Sequence, residues 1–374
     1  MNILLGTQYP YAHEPIWGGV QAVSHNLKKG FTEYSPEDTV KVVTGSPYAT
    51  RLYEETENII YIKKPWMKLG SIYLSSYPRR IKKMLQIYQY QVLNAHTIDF
   101  AYYGLQKNQQ VIFTPHGFNW IEQHYVKSYQ QPIWNHFYVK RLYKVLQRIS
   151  FLISINPYGR TLFEQKTTAT IFDINNPVSL DYFTLPDTST GHQFLWMGVI
   201  SRMKNLFSLI KALMIVKKKI PDFTCVIAGK IEDPVYFKEI MQYINNHDLR
   251  DNIQYKGILG PHEKRQELSE MSFLVINSLN EHAPMVISES LSAGKPVIAS
   301  NLGGIPFMIQ DEKQGLLINP TNSSDIAEHI LYLLTHQKDT QTMGRNGKRY
   351  ATTHYHPKVI IPQYKKAYEE VLSS

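Results

Sequence analysis

Two glutamates, Glu281 and Glu289, bracket Pro284 in the stretch NEHAPMVISESLSAGKPVIASNLGG (280–304). Proline in a first helical position gives up only a donor that has no partner anyway, and Gly294 tolerates a left-handed cap. The spacing therefore predicts a helix from Pro284 to Gly294. A helix start gathers unpaired N–H groups and partial positive charge, which suits an anion, most often a phosphate. Carboxylates repel a phosphate. Glu281 in the loop and Glu289 in the helix are therefore expected to accept hydrogen bonds from neutral hydroxyls on either side of it, such as a sugar and a ribose provide. Two solvated surface acids give the same pattern. Arg202 and Lys204, in GVISRMKN (198–205), lie between a strand and a helix, where both can point at a diphosphate. Loop cations also occur as plain surface charge. No D-x-D triplet occurs in the chain, so a diphosphate would rely on fixed cations and helix N-termini rather than on a metal-binding carboxylate pair.

Other residues are less specific. His116, in TPHGF (114–118), follows a strand and precedes a glycine; it is either a hydrogen-bonded loop residue or a substrate contact. Gly18 and Gly19 open a helix after the first strand and either admit a ligand close to the backbone or simply turn the chain. The G-x-G-x-x-G and P-loop patterns are absent, which argues against nicotinamide dehydrogenases and simple ATPases. No Ser-His-Asp or Cys-His arrangement emerges. His354 and His356 lack metal-ligand company and read as surface residues, so no metal site is expected.

These residues need strands and helices to hold them. Short apolar runs ending in turn residues recur at NILL, VKVVTG (40–45), VLNAH (92–96), QVIFTPHG (110–117) and FLISIN (151–156), separated by helical patterns such as 18–31. That alternation indicates a parallel sheet with crossover helices. The small polar stretch DTSTGH (187–192) is the best linker candidate. The pattern then restarts at FLWMG (194–198), FTCVIAG (223–229), NIQYKG (252–257), SFLVINS (272–278) and KPVIAS (295–300), with helices expected around 205–219, 234–248, 262–271, 284–293 and 323–335. The segment 359–372 reads as a terminal helix. The expected domains are 1–186 and 187–355, with 356–374 as a C-terminal helix. Two such doubly wound domains facing each other would form a ligand cleft.

The 374 residues suit two domains of ordinary size. The longest apolar runs are far too short to span a bilayer, the start MNILLG lacks the pattern of a secretory leader, and Cys225 is the single cysteine, so a cytoplasmic protein is expected. The net charge of +9 is concentrated in the first half: residues 1–185 hold 19 Lys and Arg against 12 Asp and Glu. Residues 61–89 carry seven basic and no acidic side chains, interleaved with Trp66, Tyr73 and Tyr77, and 127–148 is likewise free of acids. Such stretches suit peripheral contact with an anionic membrane or, equally on charge, nucleic acid; a solvated helix face with core aromatics is the plain alternative.

Taken together, GGV (18–20), TPHG (114–117), NPVSLDYF (176–183), MGVISRMKN (197–205), VIAG (226–229), YKGIL (255–259), the Glu281/Glu289 pair and AGKPVIASNLGGIP (293–306) resemble the GT-B retaining glycosyltransferases of the large family 4. The resemblance covers nearly the whole chain. It implies an α/β GT-B fold of two Rossmann-like domains across a cleft, a nucleotide-sugar donor carrying UDP or GDP held by the second domain, and an acceptor held by the first. No metal or other cofactor is required, and no nucleic acid is expected as a partner. By position it makes Arg202 and Lys204 the diphosphate cations, Glu289 the ribose ligand and Glu281 the partner of the transferred sugar. The N–H groups of Met285 and Val286 would cap the phosphates. His116 would lie near the donor sugar, Gly18 and Gly19 near its phosphate, and the backbone at Ile258 against the base. Two positions depart from the family. Val199 stands where it usually has arginine, leaving Arg202 to compensate, and Phe307 stands where a glutamate is common. Two rival readings are a UDP-sugar 2-epimerase of the same fold and a non-catalytic basic adaptor.

Overall fold

The computed structural model describes residues 1–12, 14–16, 18–66, 75–107, 109–117 and 131–374, with the backbone alone for 131–135. The described chain forms two compact units. The first comprises residues up to Pro177 together with Pro357–Ser374, and the second Val178–His356.

The first unit is built on a sheet of eight strands among the described residues: β1 (Asn2–Gly6), β2 (Thr39–Ser46), β3 (Tyr53–Thr56), β4 (Ile59–Lys63), β5 (Val92–Ala95), β6 (Val111–Phe113), β7 (Phe151–Ser154) and β8 (Thr170–Asp173). Their spatial order is β3-β4-β2-β1-β5-β6-β7-β8, parallel except at the β3–β4 edge. β1, β5, β6 and β7 are almost wholly apolar because helices cover both faces. The helix Gly19–Tyr34 packs on the terminal helix Pro357–Ser373. A Cβ at Gly30 would lie 2.7 Å from Ile361 Cδ1, Phe31 stacks on Tyr368 at 5.8 Å, and Asn94 donates to the Tyr368 hydroxyl at 2.8 Å.

In the second unit the strands are β9 (Gln193–Met197), β10 (Thr224–Ala228), β11 (Ile253–Tyr255), β12 (Leu274–Ile276), β13 (Val297–Ser300) and β14 (Gly315–Ile318). They pair in the order β11-β10-β9-β12-β13-β14, all parallel, so β9 lies at the centre between β10 and β12, with β13 next to β12. Phe194, Phe223 and Phe273 stack in its core, with Phe194 and Phe273 4.9 Å apart. Cys225 is buried there, and its thiol is pushed up by burial.

The structure divides the chain ahead of the expected boundary at 186/187. Pro177 O accepts from Asn26 Nδ2 of the first unit, whereas Val178 N donates to Tyr355 O of the second. The polar stretch read as a linker is pinned inside the second unit. Lys295, 2% exposed, donates from Nζ to Asp187 Oδ1 at 2.6 Å, Ser269 O at 2.8 Å and Met271 O at 2.7 Å, and Ser269 Oγ bonds Pro186 O. Small polar residues read as a linker because a buried lysine from a distant strand start cannot be seen locally. Replacing Lys295 by methionine leaves the buried Met271 carbonyl without a donor and Ser269 O with Thr188 N alone. The expected loss is about 2–3 kcal/mol in urea unfolding with an unchanged m-value; a loss within experimental error would show that water replaces the ammonium.

Packing decides two other expectations. Of the two readings of residues 61–89, Tyr77 follows the plain one, as a core residue 7% exposed, and Lys82 lies 5.3 Å from the Tyr103 ring. Residues 67–74, Tyr73 among them, and 127–130 of the two basic stretches lie outside the described residues. His354 and His356 are half-buried: His354 stacks on Tyr350 at 3.9 Å, and the His356 ring lies 4.9 Å from Phe183. Among the described residues no helix is long and apolar enough to cross a membrane, and no three His, Cys, Asp or Glu side chains gather to hold a metal.

Candidate active site

In a parallel sheet the loops after adjacent strands gather at one edge, where ligands of doubly wound folds bind. In the second unit these loops follow β9, β12 and β13. After β9 the chain makes a short 3-10 turn, Arg202–Lys204, before the helix Leu206–Lys217. Asn205 joins the two in a left-handed conformation, φ 56°. Its side chain donates to Pro320 O at 2.6 Å, and its carbonyl receives Asn277 Nδ2 at 2.6 Å. Trp196 Nε1 completes the brace by donating to Asn277 Oδ1 at 3.0 Å. Leu279 N bonds Met203 O at 2.8 Å, which ties the post-β9 turn directly to the post-β12 loop.

On this scaffold Lys204 Nζ meets Glu281 Oε1 at 2.5 Å, and Ser278 Oγ donates to the same oxygen at 2.9 Å. The pair is partly open, with 19% and 14% of the two side chains exposed. The Glu281 carbonyl receives Gly304 N at 2.8 Å, so the post-β13 turn holds it from the other side. Gly303 has φ 61°, and a Cβ there would lie 2.4 Å from Glu281 O.

The helix after this loop runs Met285–Ser292, one residue later than predicted at its start. Pro284 is extended, φ −66° and ψ 117°, and its carbonyl takes the first helical N–H, that of Ile287, at 3.0 Å. Proline there supplies the cap rather than the first turn. The N–H groups of Met285 and Val286 precede that first donor, Ile287 N, and have no partner within the helix. Gly294, φ 76°, ends the segment after Ala293.

Glu289, inside this helix, is 2% exposed and pairs with Lys264 Nζ at 2.5 Å. Lys264 also lies 5.7 Å from the ring of Tyr182, whose hydroxyl is pushed far up by burial and then by the Glu289 charge. The sequence reading missed both Lys264 and Tyr182. HEKRQEL reads as solvated helix surface, and only the packing of the helices Pro261–Glu270 and Leu180–Phe183 brings the two residues to Glu289.

Arg202 is not brought to Lys204. Its guanidinium donates to Glu239 at 2.9 Å, lies 3.4 Å from Asp233 Oδ2 and sits 5.0 Å over the Tyr236 ring, all on the helix Pro234–Asn246 or its cap. In a 3-10 turn of three residues per turn, positions two apart point in different directions. Val199 and Phe307, at the departures from the family pattern, are exposed at 37% and 49%. Ile258, 45% exposed, follows Gly257, whose carbonyl accepts Gly229 N at 2.7 Å at the end of β10.

The remaining candidates belong to the first unit. Gly18 is the extended cap before the helix that Gly19 opens, and a Cβ at Gly18 would meet nothing within 4 Å. His116, after β6, lies with its Nε2 2.8 Å from Nδ1 of His96, which follows β5, and the two rings stack at 4.8 Å. Both line a cavity of about 560 Å³ contained within the first unit. His96 was not singled out in the sequence, where it reads only as the end of a strand.

Residues 185–350 match the family described as Glycosyl transferases group 1. A glycosyltransferase of Methanocaldococcus jannaschii is 29% identical over 47% of this chain and 48% of its own length, so the chain spans about half the length of that relative. The GDP-mannose:cellobiosyl-diphosphopolyprenol alpha-mannosyltransferase of Xanthomonas oryzae is 23% identical over 96% of this chain and 94% of its own. Among solved structures, sucrose-phosphate synthase from Thermosynechococcus elongatus superposes with a TM-score of 0.83 at 18% identity, covering 100% of this chain and 99% of that one. The match to the glycosyl transferases group 1 family is thus carried by residues 185–350, and the fold of the chain is that of the GT-B glycosyltransferases.

Proposed function

We propose that the protein is a retaining, metal-independent glycosyltransferase that moves a sugar from a nucleotide-diphosphate sugar to an acceptor hydroxyl in polysaccharide, lipopolysaccharide or glycolipid assembly. The observation that carries this is the Lys204–Glu281 pair, braced between the post-β9 and post-β13 turns and followed directly by a helix N-terminus. Lys204 supplies a fixed cation for the diphosphate, and the N–H groups of Met285 and Val286 supply partial positive charge as the leaving group develops its own. Glu281 accepts from hydroxyls of the transferred sugar, Glu289 from the ribose, and the backbone at Ile258 borders the base. In the transfer step the acceptor oxygen bonds to the anomeric carbon, the bond to the diphosphate breaks, and the acceptor proton passes to the departing phosphate oxygen.

The X. oryzae relative supports the reading, since its name gives it a nucleotide-sugar donor and a diphosphate-linked lipid acceptor. A lipid-linked acceptor would place this protein at the cytoplasmic face of a membrane, with exposed Arg79 and Lys83 of the helix Tyr77–Ile87 toward anionic lipid.

The donor assignment is tested by a thermal-shift screen against UDP-, GDP-, ADP- and dTDP-sugars, run beside Glu289→Ala. A ligand at a hundred times its Kd is expected to add about 2.7 kcal/mol to the folded state, and Glu289→Ala is expected to lose most of that increment. The increment, not the baseline, is what counts, because removing Glu289 also leaves Lys264 without its carboxylate. No increment with any nucleotide sugar would sink the donor reading.

A further inference from the structure

Three neighbouring strands of the first sheet, in the order β4-β2-β1, run parallel and so end at one edge. The chain leaving each of them lines the cavity of the first unit and then presents an aromatic ring. Tyr9, Gly45 and Lys64 line the cavity; Tyr11, Tyr48 and Trp66 follow them in the chain. The three segments are fastened to one another. Tyr9 N donates to Thr44 Oγ1 at 3.1 Å, Lys64 N to Ser46 O at 2.9 Å, and Tyr48 N to Ser46 Oγ at 3.2 Å. The rings themselves form a row: Tyr11 lies 6.0 Å from Tyr48, and Tyr48 meets Trp66 edge to face at 4.9 Å. Behind the row the buried Tyr61 ring lies 4.9 Å from Tyr11, and its hydroxyl receives Ala12 N and donates to Pro10 O.

Despite these contacts Trp66 is 70% exposed and Tyr48 49%. Single exposed aromatics are ordinary, whereas rings in mutual contact, held by their backbone beside a cavity, mark a binding surface. The polar groups around them narrow what it binds. Glu54 accepts from the Tyr11 hydroxyl at 2.9 Å and from Thr50 N and Oγ1, and Glu14 accepts from Tyr11 N at 3.1 Å. Among the described residues these are the charged side chains hydrogen-bonded to the row, and both are acids, which repel anionic lipid and nucleic acid alike. The Thr50 N–H and the Tyr11 hydroxyl hold the Glu54 carboxyl below its usual range, so it stays ionised and only accepts. The adjoining cavity offers the neutral hydrogen-bonding side chains Gln8, Gln21 and Thr44, with Lys64 and Asp99 of opposite charge. Aromatic faces flanked by such groups match a sugar ring, which has apolar C–H faces and a rim of hydroxyls.

We infer that Tyr11, Tyr48 and Trp66 form a subsite for a neutral saccharide chain that runs outward from the cavity of the first unit. Under the transferase reading, on which this step rests, the cavity takes the sugar carrying the attacking hydroxyl, and the aromatic row takes the sugars behind it. The acceptor is then an oligosaccharide rather than a single sugar.

Saturation-transfer NMR on the full chain tests the subsite. The probes are neutral trisaccharides of glucose, mannose, galactose and N-acetylglucosamine in α and β linkage, with the monosaccharides beside them. At least one trisaccharide is expected to take up saturation at the C–H groups of adjacent rings and to bind at least about fivefold more tightly than its monosaccharide. Trp66→Ala is expected to weaken that binding about fivefold, the effect of one aromatic contact, whereas Trp66→Tyr stays within about twofold. Because Trp66 is so exposed, neither variant should move the urea midpoint. Saturation of no trisaccharide, or equal binding by Trp66→Ala, overturns the subsite. A Trp66-dependent fluorescence blue shift on phosphatidylcholine–phosphatidylglycerol vesicles, without sugar binding, overturns it too and makes the row a lipid contact. Trisaccharide binding without any nucleotide-sugar stabilisation keeps the subsite and removes the donor reading; the reverse result removes the subsite alone.

Discussion

Glu281→Ala is expected to lower kcat/KM about a thousandfold while leaving the unfolding transition nearly in place. Two hydrogen bonds from sugar hydroxyls to a carboxylate contribute about 2 kcal/mol each, and about 4 kcal/mol corresponds to a factor near a thousand in rate. The loop itself does not depend on the side chain. Leu279 N to Met203 O and Gly304 N to Glu281 O are backbone bonds that alanine keeps. What the substitution does disturb is Lys204, which loses its carboxylate but has 19% of its side chain exposed and is therefore partly resolvated. The measurement is release of nucleoside diphosphate from whichever donor stabilises the protein. A variant retaining a third or more of the wild-type kcat/KM would mean that Glu281 merely neutralises Lys204. Lys204→Met separates the two roles further. It should weaken nucleotide binding, because the fixed charge is lost, whereas Glu281→Ala should weaken turnover more than binding.

The elements that hold this site were legible because their signals are local. β9, β10, β12 and β13 are short apolar runs closed by turn residues, and each was expected within a few residues of where it lies. The helix Ser323–Thr335 was matched at both ends, since Asn322 caps it by accepting from the N–H groups of Ser324 and Asp325. The β3–β4 hairpin was missed. Its turn is Glu57-Asn58, both left-handed at φ 49° and 64°, and a glutamate in that conformation carries none of the usual Asn-Gly signature. β8 was missed because its residues are half-exposed rather than apolar, and Gln337–His354 because its polar face outweighs its buried stripe of Met343, Gly344, Gly347 and Ala351.

The site was legible only as a set of residue types. Lys204 and Glu281 lie far apart in sequence, and their meeting depends on β9 and β12 being neighbours in the sheet. Arg202 seemed equally placed by sequence, yet the 3-10 turn sends it to Glu239 and Asp233. Lys264 carried no signal, because a lysine in a polar stretch looks the same whether it is solvated or aimed at a carboxylate.

Gly303→Ala is expected to cost about 2–3 kcal/mol of stability, of which about 1–2 kcal/mol is the left-handed backbone at φ 61° and the rest steric. The added Cβ would sit 2.4 Å from Glu281 O, 3.1 Å from Asn280 Oδ1 and 3.2 Å from Glu281 N, so either the post-β13 turn or the Glu281 loop must move. Backbone cannot yield there as a flexible side chain could. The Gly304 N to Glu281 O bond is the first casualty, and with it the constraint that holds the Glu281 carboxylate over Lys204. Activity should therefore fall by about a hundredfold or more, since a misplacement near 1 Å has that effect on a positioned group. Gly18→Ala is the matched control for stability: its φ is −128° and an added Cβ meets nothing within 4 Å, so the urea midpoint should not move. If Gly303→Ala lost stability but kept full turnover, the turn would be a structural fastening and Glu281 would be positioned by Ser278 and Lys204 alone. If it kept both, the close approach to Glu281 would be too soft to hold the site at all.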